Sequence, residues 1–145
     1  MPKIDEMQLK KEIKSGDFKN AYLLYGEESY LKEYYANELK NKIVDKTFEA
    51  FNYHSFDGKD TELDDILKDA QMLPMISEYN FVLVKDYPIE KSANDIKLLE
   101  EYLSDAPDST VLVFWFDALD PDVKSAKFKK VIKAFEKAGN CVELQ

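Results

Sequence analysis

The chain has 145 residues, of which 45% are hydrophobic and 13% aromatic, enough for one packed core and too apolar for disorder. Its net charge of -9 is unlike that of a domain that grips duplex DNA alone, and its twenty basic residues are all lysine, which excludes an arginine finger or a bidentate guanidinium clamp. No run approaches the roughly 18 apolar residues of a membrane span, no apolar leader opens the chain, and a single cysteine, Cys141, excludes an intrachain disulfide, so a cytoplasmic protein without membrane contact is expected.

A short helix is predicted over roughly 3–15, with Leu9 and Ile13 on one side. AYLLYG (21–26) reads as a strand, and 29–44 as a helix carrying Leu31, Tyr35 and Leu39 on one face. FNYHSF (51–56) reads as a second strand. Thr61 with Asp64 resembles a capping box ahead of Leu63, Ile66, Leu67 and Ala70 at helical spacing. FVLVKDY (81–87) is a third strand. Ser92 with Asp95 repeats the capping pattern before Ile96, Leu99 and Leu103, and Pro107 lies beyond that helix. TVLVFWF (110–116) is a fourth strand. Asp120 is read as an N-cap with Pro121 at the first helical position, followed by Phe128, Val131, Ile132 and Phe135, and Gly139 terminates. CVEL (141–144) is the fifth strand. Several strands are continuously apolar, as strands covered on both faces are. A helix fills most of the gaps between them, so a parallel sheet is expected. The predicted fold is α/β: a three-layer, five-stranded parallel sheet with helices on both faces, forming a single domain over 1–145. The chain ends on a strand, as expected for a segment of a longer protein.

The loop after the first strand of such a domain is where phosphate normally binds. Here it reads Tyr25-Gly26-Glu27-Glu28-Ser29-Tyr30-Leu31, one glycine and two carboxylates in place of a glycine cradle followed by lysine. Glu27 and Glu28 would repel a triphosphate, so no nucleotide cofactor is expected. Asp86 follows the third strand at a place where a carboxylate can hold a metal ion, but without a phosphate partner it reads as a solvated strand-end carboxylate. His54 and Cys141 lack the partners of a zinc site or a nucleophilic triad, and His54 is placed on a sheet face. The acidic run from Asp57 to Asp69 lacks the calcium-loop pattern and reads as the wet side of a helix. Hence no metal and no catalytic residue is assigned. The helix over 122–138 carries Lys124, Lys127, Lys129, Lys130, Lys133 and Lys137 against Asp120, Asp122 and Glu136. It reads as a solvated face, with an acidic partner or a nucleic-acid backbone as the sharper alternative.

Gln71-Met72-Leu73-Pro74-Met75-Ile76-Ser77 is apolar where a connecting loop is usually polar. It is either a joint buried against the core or a contact site for a partner.

The segments YLLYGEESYL (22–31), FNYHSFDGKD (51–60), AQMLPMISEYNFVLVKDY (70–87) and STVLVFWF (109–116) stand in the order and wording of one family. Together they resemble the delta subunit of bacterial DNA polymerase III, a clamp-loader component. The resemblance implies an AAA+-like domain with a decayed nucleotide site and strand order 5-1-4-3-2. It implies that this is the N-terminal clamp-binding domain, without the helical lid and collar that follow in the family. Partners implied are the sliding clamp (beta subunit), other clamp-loader subunits through the missing collar, and DNA only in the full assembly. An apolar wedge that binds and opens the clamp maps by position to Leu73, Pro74, Met75 and Ile76, where many relatives carry phenylalanine at 75 or 76. Hydrolysis of ATP would belong to other subunits, and no polymerase site is visible. Two rival readings remain: a receiver-type phosphoacceptor using Asp86 with Glu27 and Glu28, and an α/β domain that binds a small molecule at the strand C-termini.

Overall fold

Three apolar runs set the architecture: β2 (Ala21–Tyr25), β4 (Asn80–Lys85) and β5 (Thr110–Trp115), buried along all or nearly all of their length. The structure, a computed structural model, describes residues 3–145, with Lys3 described by its backbone alone. The remaining strands are β1 (Lys3–Ile4), β3 (Tyr53–Asp57) and β6 (Asn140–Glu143). The helices are α1 (Glu6–Ser15), α2 (Ser29–Ile43), α3 (Glu49–Asn52), α4 (Leu63–Ala70), α5 (Ala93–Ser104) and α6 (Ala126–Ala138).

The strands lie in the order β1-β6-β2-β5-β4-β3, and every pair is parallel. The five expected strands take the expected order. A sixth, two-residue strand extends the sheet beyond β6, pairing Lys3 with Cys141 and Ile4 with Val142. The first helix therefore begins at Glu6, where the Asp5 carboxylate accepts from the Gln8 N–H at 2.9 Å.

Alternate residues of each strand face opposite sides, giving two cores. One gathers Leu23, Val82, Val84, Leu112 and Phe114 under α4, α5 and α6. The other gathers Leu24, Phe81, Leu83, Val113 and Trp115 under α1 and α2. Edge-to-face contacts of Phe128 with Tyr25 and Phe116, and of Phe135 with Phe114, hold α6 to the sheet. Burying each such ring stabilises by roughly 1.5–3 kcal/mol. On the opposite face a buried Glu12 accepts from the Tyr22 hydroxyl at 2.7 Å and from Asn140 Nδ2 at 2.8 Å, tying α1 to β2 and β6. Burial pushes the Tyr22 phenol far above its ordinary range, and Glu12 adds to the shift.

Some local expectations fail for local reasons. Ser92 does cap α5, accepting from the Asp95 N–H. Thr61 does not cap α4: its hydroxyl donates to the Asp57 carbonyl, and the N-cap position falls to Glu62. Asp120 and Pro121 lie in a loop, and Ser125 caps α6 by accepting from the Phe128 N–H at 3.0 Å. Phe51 and Asn52 belong to α3, so β3 begins two residues later than the apolar pattern suggests. Gly139 does end α6: a Cβ there would lie 1.7 Å from the Ala21 carbonyl oxygen.

Candidate functional site

The segment between α4 and β4 carries the molecule's largest departure from the rule that apolar side chains are covered. Leu73 is 82% exposed, Ile76 77% and Met75 50%. Pro74 is half-buried between them. These four side chains do not fill the core, so the buried-joint alternative fails on burial. Met72, in the same apolar run, is exposed too, as is Phe51, which sequence reasoning did not assign and which adjoins Asn52 in the chain.

The backbone beneath these side chains is fastened before and within the segment, at Asp69, Ala70, Met72 and Met75. The Ala70 carbonyl accepts from Thr110 Oγ1 at 2.7 Å. Asn80 Nδ2, buried at the start of β4, donates to the carbonyls of Asp69 at 2.8 Å and Met72 at 3.1 Å. Asn52, also buried, donates from Nδ2 to the Met75 carbonyl at 2.8 Å and accepts the Met75 N–H at 2.6 Å. Ile76 follows with φ 56°, a left-handed conformation that costs a β-branched residue roughly 1–3 kcal/mol. The apolar tip is a held structure, not a loose loop.

At the other end of the sheet lies the loop where a nucleotide would sit. Gly26 has φ 119°, and a Cβ there would lie 2.2 Å from the Leu144 carbonyl oxygen. The Glu28 N–H donates to that same oxygen at 3.1 Å, and the Leu144 N–H donates to the Tyr25 carbonyl at 2.7 Å. The loop is thus closed onto Leu144, just after β6, with Glu27 and Glu28 exposed beside it. The expectation that a lysine is missing needs correction. Lys32 stands six residues after Gly26, in the register of a P-loop lysine, although Leu31 and Glu33 replace the glycine and hydroxyl residue of that motif. Counting six positions onward from Gly26 would have found it. Lys32 is 4% exposed, and burial lowers its pKa against the opposing pull of Asp120, Asp117 and Asp86.

Asp86 is not the solvated carboxylate expected. It is buried, sits at φ 57°, and accepts from the N–H groups of Asp117 at 2.7 Å and of Ala118 and Leu119 at 3.1 Å. Its oxygens organise the loop after β5, which leaves them poorly placed to attack a phosphodonor or hold a metal ion. Among the described residues no group of three or more His, Cys, Asp or Glu side chains is arranged to hold a metal. His54 lies on β3 with Nδ1 3.5 Å from Asp69 Oδ2. Cys141 is buried, with its thiol donating to the Ile132 carbonyl at 3.4 Å. The six lysines of the 122–138 region are all exposed. No helix among the described residues is long and apolar enough to cross a membrane.

The parallel order, the two helical layers and a closed loop after β2 define an AAA+-like α/β domain. A solved Thermotoga maritima DNA polymerase III gamma subunit-related protein shares the fold at a TM-score of 0.64 and 17% identity, over 95% of this chain and 46% of that one. The pattern of the family described as DNA polymerase III, delta subunit, matches residues 22–145, and the chain belongs to that family. It is 31% identical over 134 residues to the DNA polymerase III subunit delta of Bacillus subtilis (strain 168), covering 88% of this chain and 38% of that protein. The solved Bacillus subtilis DNA clamp loader delta protein superposes with a TM-score of 0.78 at 26% identity, over 95% of this chain and 42% of that one. The chain therefore spans about two fifths of the length of these delta-subunit relatives.

Proposed function

We propose that this chain binds a sliding clamp through the apolar tip at Leu73, Pro74, Met75 and Ile76, and that it serves DNA replication as a binding domain. The observation that carries the reading is the tip itself: large apolar side chains exposed on a backbone fastened by Asn52, Asn80 and Thr110. Exposed apolar groups on a held scaffold suit insertion into a partner's pocket, because little ordering entropy is left to lose on binding. The relatives' description as delta subunits and as a clamp loader protein supports the choice of partner.

Opening of the clamp, association with other clamp-loader subunits, and contact with DNA belong to the same proposal at the level of the longer protein. The lid and collar would lie in the part of the relatives that this chain does not span. Within this domain the closed Gly26 loop, the missing second glycine and the buried Lys32 favour a role without nucleotide hydrolysis. The experiment is a titration of the chain with the sliding clamp of its own organism. Saturable binding that is strongly weakened by Leu73→Asp is expected, and absence of any binding by the folded chain overturns the reading.

A further inference from the structure

Asn52 is 2% exposed, yet neither hydrogen-bonding end of its amide serves the helix or strand it joins. Both ends reach across 23 residues to one main-chain unit, the N–H and C=O of Met75. A side-chain amide that takes both polar groups of one residue mimics a strand pairing, and it fixes that residue's orientation as well as its position. The very next residue, Ile76, sits in the left-handed region. Without a restraint on its preceding peptide, a β-branched residue relaxes to negative φ and carries its side chain elsewhere. With the restraint, Leu73 and Ile76 both stand outward.

Resting on the clamp-binding reading above, we propose that Asn52 is the positioning residue of the apolar tip: its amide clasps the Met75 backbone and holds the tip, before contact, in the shape that the clamp receives. Asn80 fastens only the start of the segment, at Asp69 and Met72. Asn52 fastens its far limb. A chain whose competent shape is only fractionally populated binds more weakly by that fraction.

The test compares wild type, Asn52→Ala, Asn52→Asp and Leu73→Asp by clamp titration, by amide exchange at Met75, and by thermal melting. Asn52→Ala is expected to speed exchange of the Met75 amide and to weaken clamp binding about tenfold, as expected when the competent shape falls to a tenth of the population. Asn52→Asp supplies a readout that a merely structural residue would not move. An ionised carboxylate opposes the Met75 carbonyl, whereas a protonated one accepts and donates as asparagine does. Its affinity relative to wild type at the same pH should therefore recover as pH is lowered from about 7.5 to about 5, through the range in which a buried aspartate takes up its proton. Wild-type affinity in Asn52→Ala, with Leu73→Asp impaired, overturns the positioning role and leaves the contact reading standing. Wild-type affinity in Leu73→Asp overturns the contact reading and the positioning role together. If Asn52→Ala fails to fold, the pH ratio of Asn52→Asp decides, and a flat ratio overturns the proposal.

Discussion

Replacing Leu73 with aspartate separates contact from packing more cleanly than any other change in the tip. Chain position alone favours Met75 as the probe, because Leu73 lies nearer α4 and could be shared with the core; exposure reverses the choice, at 82% for Leu73 against 50% for Met75. In the free domain Leu73→Asp removes almost no buried surface, so stability should shift by no more than about 0.5 kcal/mol. For a domain of this size that is a change in Tm of roughly 1–2 °C. In the proposed contact the same side chain would pass from water into an apolar surface, a transfer worth roughly 1.5–3 kcal/mol for leucine. Aspartate forfeits that gain and adds a desolvation penalty that the ionised group limits by tilting toward solvent. The expected loss is roughly 2–4 kcal/mol, a rise in Kd of about 30- to 1,000-fold. The assay is a paired one, a melting curve and a clamp titration on the same preparation. An unchanged Kd with an unchanged Tm refutes the contact. A Tm lowered by much more than a few degrees refutes the claim that the side chain lies outside the core.

Gly26→Ala sets a Cβ 2.2 Å from the Leu144 carbonyl oxygen at a φ of 119°, and should destabilise the fold by roughly 2–4 kcal/mol in urea unfolding, while clamp affinity of the folded fraction is unchanged. Calorimetry with ATP and magnesium should give no heat of binding to the chain; an affinity near the micromolar range would contradict the closed loop over 26–28 and the buried Lys32. Burial raises the phenol pKa of Tyr22, Tyr25, Tyr35, Tyr87 and Tyr102 above the ordinary value. Stability from these groups is complete below the unfolded-state pKa of about 10 and declines as pH rises above it, so alkaline titration should show these tyrosines ionising only as the chain unfolds.

The strands were legible because both faces of the sheet are covered. Runs such as LLY in β2 and FVLV in β4 have no other place to go. Lys3–Ile4 was not legible, since two residues carry no period and the strand exists only because Cys141 and Val142 offer an open edge. Caps failed where a hydroxyl had a better partner than the helix, as Thr61 has in the Asp57 carbonyl. The tip was legible as an anomaly of composition, and its four residues lie together on the surface. What holds it was not: the bonds from Asn52 and Asn80 join residues whose sequence separation obeys no helical or strand spacing. Asp86 was visible as a strand-end carboxylate, but its burial depends on the loop after β5 folding back over it.

Because all strands run the same way, the tip before β4 and the closed loop after β2 lie at opposite ends of the sheet. Six residues of β4 at about 3.3 Å each separate those ends by roughly 20 Å of hydrogen-bonded backbone. A dye, a tether or a neighbouring subunit attached beside Glu27 would therefore leave Leu73 unobstructed. A force applied at one end would reach the other as movement of a stiff beam, with the strands keeping their register. The domain is built so that it can be held by one end while the apolar tip at the other stays free.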